Sequence, residues 1–183
     1  MAFTLLIGGA RSGKSSLAVD IGHRHHAAGV PVTYIATAPS VDPDDDADMA
    51  ERIERHRTER PATWATIEEE ADLIGALSSV DDGLAIIDCL TLWTSNLMWR
   101  ELGDDEIRTL ATAAAAAAAE RPEPTVAITN EVGLGVHPET ELGRRYRDVL
   151  GFVNQSWAEV ADLSLLLVAG RAIRLDSPWN HLT

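Results

Sequence analysis

Eight residues near the start of the chain, Gly8-Gly9-Ala10-Arg11-Ser12-Gly13-Lys14-Ser15, constrain its fold more than any other stretch. They read G-x-x-x-x-G-K-S. In that pattern the backbone N–H groups of a glycine-rich turn cradle phosphates and the lysine reaches the outer ones. Lys14 is the only lysine among 15 basic side chains, and the rest are arginine. A compact ammonium on a flexible stem serves there in a way a planar guanidinium does not. The flanks agree. Phe3 to Ile7 is a short apolar run and reads as a buried strand. Ser15 to Ala28 is predicted helical, with Leu17, Ala18 and Ile21 on one face. Strand, loop and helix in that order make a concave positive nest of loop amides and helix N-terminus. A chance match in an ordinary glycine-rich turn would lack those flanks. A nucleoside triphosphate bound here would have Lys14 on its β- and γ-phosphates and the Ser15 hydroxyl on Mg²⁺.

A chain of 183 residues can bury a sizeable core, and 1–183 is expected to form a single domain. Its formal net charge of −14 leaves no basic stripe for nucleic acid and no attraction to an anionic membrane. Anionic ligands must then be met by local arginines and backbone amides. No apolar run is long enough to span a bilayer. The N-terminus leads directly into a strand, so no signal peptide is expected. The single cysteine, Cys89, cannot form an internal disulfide. A cytoplasmic protein is expected from these features.

Further strands are predicted at Val32–Thr37, Leu84–Asp88, Thr125–Thr129 and Leu163–Ala169. Ala172 to Leu175 is expected to return beside the last of these as a hairpin across Gly170-Arg171. Helices are expected over 47–60, ended by Pro61, and over 73–77, 91–102 and 141–161. The alanine run from Ala113 to Ala119 is strongly helix-forming. The acidic stretch from Asp42 to Asp48 reads as a solvated loop or helix start, and the C-terminal tail as frayed or covered by a neighbouring copy. Strands alternating with helices argue for an α/β fold, a mainly parallel sheet with helices on both faces and an antiparallel C-terminal hairpin. Ligands of such sheets sit at the carboxyl ends of the strands. That edge gathers the glycine loop, Thr37, Asp88 and Asn130-Glu131.

Asp88 follows four apolar strand residues. A carboxylate there can hold Mg²⁺, or it can cap the helix expected near Thr91. Cys89 beside it reads as a small buried hydrophobe. In Arg52-Ile53-Glu54-Arg55-His56-Arg57-Thr58-Glu59-Arg60, helical spacing puts Arg52, His56 and Arg60 on one face. Arginine neighbours disfavour a proton on the imidazole. A neutral ring can attack phosphorus, and the same arginines can neutralise charge on the transferred group. Taken alone, the stretch reads first as a solvated, charge-laced surface helix. His23, His25 and His26 lack the spacing of an i, i+4 ligand pair, and His137 receives no chemistry.

The ordered set of blocks is similar to one family. It comprises the glycine loop, Tyr34-Ile35-Ala36-Thr37-Ala38, Met49, Arg52-Ile53, His56, Arg60-Pro61, Trp64 and Glu68. It continues with Asp88-Cys89-Leu90-Thr91-Leu92-Trp93, Asn96-Leu97, Asn130-Glu131-Val132-Gly133, Gly135 and Pro138. It closes with Arg144, Tyr146-Arg147-Asp148, Gly151, Asn154-Gln155, Ala161-Asp162 and Gly170. Together these resemble the bifunctional adenosylcobinamide kinase and adenosylcobinamide-phosphate guanylyltransferase of cobalamin biosynthesis. The resemblance implies a phosphate-loop fold and two reactions. ATP or GTP phosphorylates the aminopropanol hydroxyl of adenosylcobinamide. GTP then donates GMP to that phosphate, giving adenosylcobinamide-GDP and pyrophosphate. It implies a guanylylated histidine at His56, with Lys14 as the second catalytic residue. It implies nucleotide contacts from Gly8, Gly9, Ala10, Arg11, Ser12, Gly13, Lys14 and Ser15, from Ala36, Thr37 and Ala38, and from Arg57, Thr58, Glu59, Arg60, Glu68 and Asp88. Ser15 and Asp88 would serve the metal, and the family forms homotrimers. The chain departs from the family pattern in its acidic loop and at Asp48, Glu70 and His137. A single-function kinase of the same loop class, acting on another small alcohol, is the alternative, and a nucleotide-dependent switch a further one.

Overall fold

The computed structural model describes residues 3–39, 51, 58 and 60–182. The helix expected over 47–60 therefore lies outside the described residues except at Glu51, Thr58 and Arg60, and so does most of the acidic stretch. A seven-stranded sheet runs in the order β3-β2-β4-β5-β1-β6-β7. Its strands are β1 (Phe3–Gly8), β2 (Val32–Ala36), β3 (Ala65–Glu68), β4 (Leu84–Asp88), β5 (Thr125–Asn130), β6 (Leu163–Val168) and β7 (Arg171–Leu175). Every neighbouring pair is parallel except β6 and β7, which form the expected antiparallel hairpin. β3 was not foreseen. It is a four-residue edge strand with three exposed positions, so it offers neither length nor apolar alternation as a signal.

The helices are α1 (Lys14–Ala27), α2 (Leu73–Ser78), α3 (Leu90–Trp99), α4 (Asp104–Glu120) and α5 (Glu141–Val160). Alternation along the strands sends successive side chains to opposite faces. Phe3, Leu5, Ala85 and Ile87 bury against α2 to α5, where Leu90, Trp93, Ile107, Val153 and Trp157 meet them. Leu6, Leu84, Ile86 and Val126 bury on the other face, with Ala18 of α1 and Trp64. The alanine run lies in the second half of a helix that begins at Asp104. Ala111, Ala114, Ala115 and Ala118 are its buried positions, small enough to bring the helix close to α5, against which it packs. Glu106 secures its start by accepting from the Gly103 N–H at 2.7 Å. α3 ends at Trp99, short of the expected Leu102. The tail beyond β7 holds a 3₁₀ turn, Pro178–His181. Among the described residues no helix is long and apolar enough to cross a membrane.

Candidate nucleotide site at the carboxyl edge of the sheet

β1 runs into the glycine loop at its carboxyl end. A Cβ on Gly8 would collide with the Leu167 carbonyl and lie 2.9 Å from the Ser12 hydroxyl, so only hydrogen fits. Arg11 at φ 55° and Gly13 at φ 101° take left-handed conformations that fold the loop over. Gly13 opens α1 with no side chain competing for the first-turn N–H groups. Lys14 is buried inside this turn. Its ammonium donates to the carbonyls of Gly8 at 2.9 Å and Gly9 at 2.8 Å, and to Ser12 Oγ at 3.3 Å. The Gly170 N–H at the β6–β7 turn donates to the Ser12 carbonyl at 2.9 Å, which braces the loop from the hairpin. Ser15 is partly exposed, while Gly9, Ala10 and Arg11 are exposed.

The ends of β2 and β4 form the second wall. Ala36 and Asp88 are register partners. Thr37 is fully buried, and its N–H donates to the Asp88 carbonyl at 3.0 Å. Its hydroxyl donates to the Cys89 carbonyl and accepts from the Cys89 N–H, both at 2.7 Å. Asn96 donates to the Thr37 carbonyl at 2.8 Å. Thr37 thus holds two strand ends together with its side chain and leaves Ala36 and Ala38 partly exposed beside it. The Asp88 carboxylate accepts a hydrogen bond from the Tyr34 hydroxyl. Tyr34 is buried, and the Arg60 guanidinium stacks over its ring at 4.1 Å from the centroid. Burial first, and then the charge of Asp88, push the Tyr34 phenol well above its ordinary value of 10.0, so it stays a donor. The capping alternative for Asp88 fails, because Cys89 occupies the N-cap of α3. Cys89 itself is buried, as a small hydrophobe would be.

Glu68 ends β3 as an exposed register partner of Ala36. At the end of β5 the Asn130 N–H donates to Thr91 Oγ1 at 2.8 Å, and the Glu131 N–H donates to the Gly8 carbonyl at 3.1 Å. The carboxyl edge therefore brings together the glycine loop, Ala36 to Ala38, Glu68, Asp88 and Asn130-Glu131. Thr58 is exposed. His56, Arg57 and Glu59 lie outside the described residues. Away from this edge, His25 Nδ1 lies 3.0 Å from the Ile21 carbonyl within α1, and the His23 ring packs against Trp64. Among the described residues no group of three or more His, Cys, Asp or Glu could hold a metal unaided. His137, left without chemistry by the sequence, accepts from Arg147 through Nδ1 at 2.7 Å. Sequence reasoning also missed the support given by Tyr34 to Asp88 and by Gly170 to the loop. Both lay inside the blocks of the resemblance, with no local pattern to show which contact they make.

A parallel sheet whose first strand enters a glycine loop, with a buried lysine at its centre and a helix N-terminus behind it, defines the phosphate-loop nucleotide-binding class. Flagellar accessory protein FlaH from Methanocaldococcus jannaschii shares this fold, with a TM-score of 0.54 at 14% identity, over 96% of this chain and 78% of that one. The family described as cobinamide kinase / cobinamide phosphate guanyltransferase matches residues 4–175, and the chain belongs to it. The bifunctional adenosylcobalamin biosynthesis protein CobP of Pseudomonas aeruginosa is 41% identical over 91% of this chain and 92% of its own length. The corresponding protein CobU of Salmonella typhimurium is 35% identical over 93% of this chain and 98% of its own length.

Proposed function

We propose that residues 1–183 act as one catalytic unit that carries out both transfers on adenosylcobinamide. A phosphoryl group from ATP or GTP goes first to the aminopropanol hydroxyl. GMP from GTP then goes to the phosphate so formed. The observation that carries this reading is the Lys14 ammonium, centred in the glycine loop at the same sheet edge as the Asp88 carboxylate, in a chain of this family. For the phosphoryl step, Lys14 and the loop amides draw charge from the β- and γ-phosphates. For the guanylyl step, a neutral His56 attacks the α-phosphorus. A nitrogen–phosphorus bond forms, the bond to the β-phosphate oxygen breaks, and pyrophosphate leaves against Lys14. The acceptor phosphate then displaces the histidine.

Mg²⁺ fits the residues present. It keeps water and substrate phosphate as ligands and asks the protein for one or two hard oxygens. The Ser15 hydroxyl and the Asp88 carboxylate are such a set, with the Tyr34 bond orienting the carboxylate. When bound it would neutralise charge on the phosphates. Arg57, Thr58, Glu59, Arg60 and Glu68 would complete the nucleotide contacts. A homotrimer and a cytoplasmic location belong to the same reading. The exposed Ile173 and Leu175 of β7, with Trp179 beyond, offer an apolar edge for self-association.

The test is the intact mass of the chain after incubation with GTP and Mg²⁺. A GMP adduct that is acid-labile and absent in His56→Ala is the expected result. Transfer of γ-phosphate to cobinamide with no adduct would identify a single-function kinase instead.

A further inference from the structure

A second hollow, of about 460 Å³, lies between the end of α3 and the start of α5. Met98, Trp99, Leu142 and Tyr146 form its walls, with Ser95 and Glu101 also lining it. Trp99 is 78% exposed and Leu142 is 58% exposed, which is costly for side chains of this size unless something covers them. The walls are held in place. Arg145 donates to Asp104 Oδ1 and to the Leu102 carbonyl, both at 2.7 Å, which ties α5 to the α3–α4 connection.

The hollow is linked to the phosphate loop through short contacts. The Tyr146 hydroxyl donates to the Thr91 carbonyl at 3.3 Å, and Thr91 Oγ1 accepts from the Asn130 N–H at 2.8 Å. The next residue, Glu131, donates its N–H to the Gly8 carbonyl at 3.1 Å. Thr91 follows the carboxyl end of β4, so the Tyr146 wall of the hollow lies on the carboxyl side of the sheet.

We infer that this hollow seats the corrin body of the acceptor, a reading that rests on the function proposed above. The reacting hydroxyl of a cobinamide ends a short arm, whereas the body is a broad macrocycle too wide for a phosphate loop. The body must sit beside the loop while the arm reaches in. The methyl groups along the corrin rim suit an indole and a thioether, and its amide fringe suits the polar groups of Ser95 and Glu101. An alkylated cobalt(III) cobinamide is a cation. Glu101 at the hollow and a chain charge of −14 are complementary to it. A hollow of this size takes one edge of the macrocycle and leaves the rest in solvent.

The test uses the full chain with Trp99→Ala plus Leu142→Ala, and separately Glu101→Gln. Adenosylcobinamide binding is followed by equilibrium dialysis through the ligand's own visible absorbance. The double variant should bind it about tenfold or more weakly. GTP affinity and GMP adduct formation without acceptor should match wild type. Glu101→Gln should weaken corrinoid binding less, with an effect that shrinks as salt rises. Unchanged corrinoid affinity in the double variant overturns the inference. So does a fall in its sedimentation mass, which would show that a second copy covers the hollow. Failure of the wild-type chain to bind cobinamide or form the adduct would instead remove the proposed function on which the inference stands.

Discussion

Lys14 holds its charge inside a ring of oxygens rather than on the surface. The carbonyls of Gly8 and Gly9 and the Ser12 hydroxyl take its protons, and only 6% of the residue is exposed. Three short donors around one nitrogen fit that hollow, and a planar fork does not. Lys14→Arg keeps the charge and changes the shape, so it should lower GTP affinity by about ten- to a hundredfold, the loss of one charge-assisted hydrogen bond. Isothermal titration with GTP checks this, and wild-type affinity in the variant would remove the lysine from the phosphates. This residue was legible in the sequence because the motif fixes its spacing. Tyr34 was legible only as a strand residue. Its bond to Asp88 spans two neighbouring strands, and nothing in either segment alone declares it.

Among the elements, α1 shows how a substitution that helps an isolated helix can harm this one. Gly22 lies in its middle, where alanine would ordinarily stabilise a helix by about 1 kcal/mol. Here an added Cβ would drive into the Trp64 ring, with two further ring carbons at 2.8 and 2.9 Å. Trp64 is buried and offers little room to retreat. Overpacking of this kind costs about 1–3 kcal/mol and reverses the sign. Gly22→Ala should therefore lower the melting temperature by roughly 2–4 °C per kcal/mol in a chain of this length, and Trp64→Phe in the same background should restore part of the loss. A rise in melting temperature would show that the indole moves aside freely. The sequence exposed the long elements because their apolar spacing persists over several turns or a full strand. It did not expose β3, where pairing with β2 rather than side-chain pattern makes the strand.

At the scale of the molecule, the parallel sheet and its carboxyl-edge site were readable, whereas the strand order was not. Alternation of strands and helices dictates parallel crossovers. Which strands neighbour which depends on contacts between segments far apart in sequence, such as β1 between β5 and β6. The same packing buries Tyr34 against Asp88 and partly buries Tyr146 against Thr91, the two tyrosines of the chain. Burial and the Asp88 charge raise the Tyr34 phenol above its ordinary 10.0, and burial, then the nearby Cys89, raises Tyr146 as well. Below pH 10 the phenols are protonated in both the folded and unfolded chain, and their contribution to stability is complete. As pH climbs past about 10, the unfolded chain gains tyrosinate while the native one does not, so stability falls toward the raised native values. Tyrosinate absorbance should accordingly stay flat beyond pH 10 and then rise in the same step as the loss of helical circular dichroism. A smooth rise centred near pH 10 with the dichroism intact would mean that the two rings reach solvent in the folded protein.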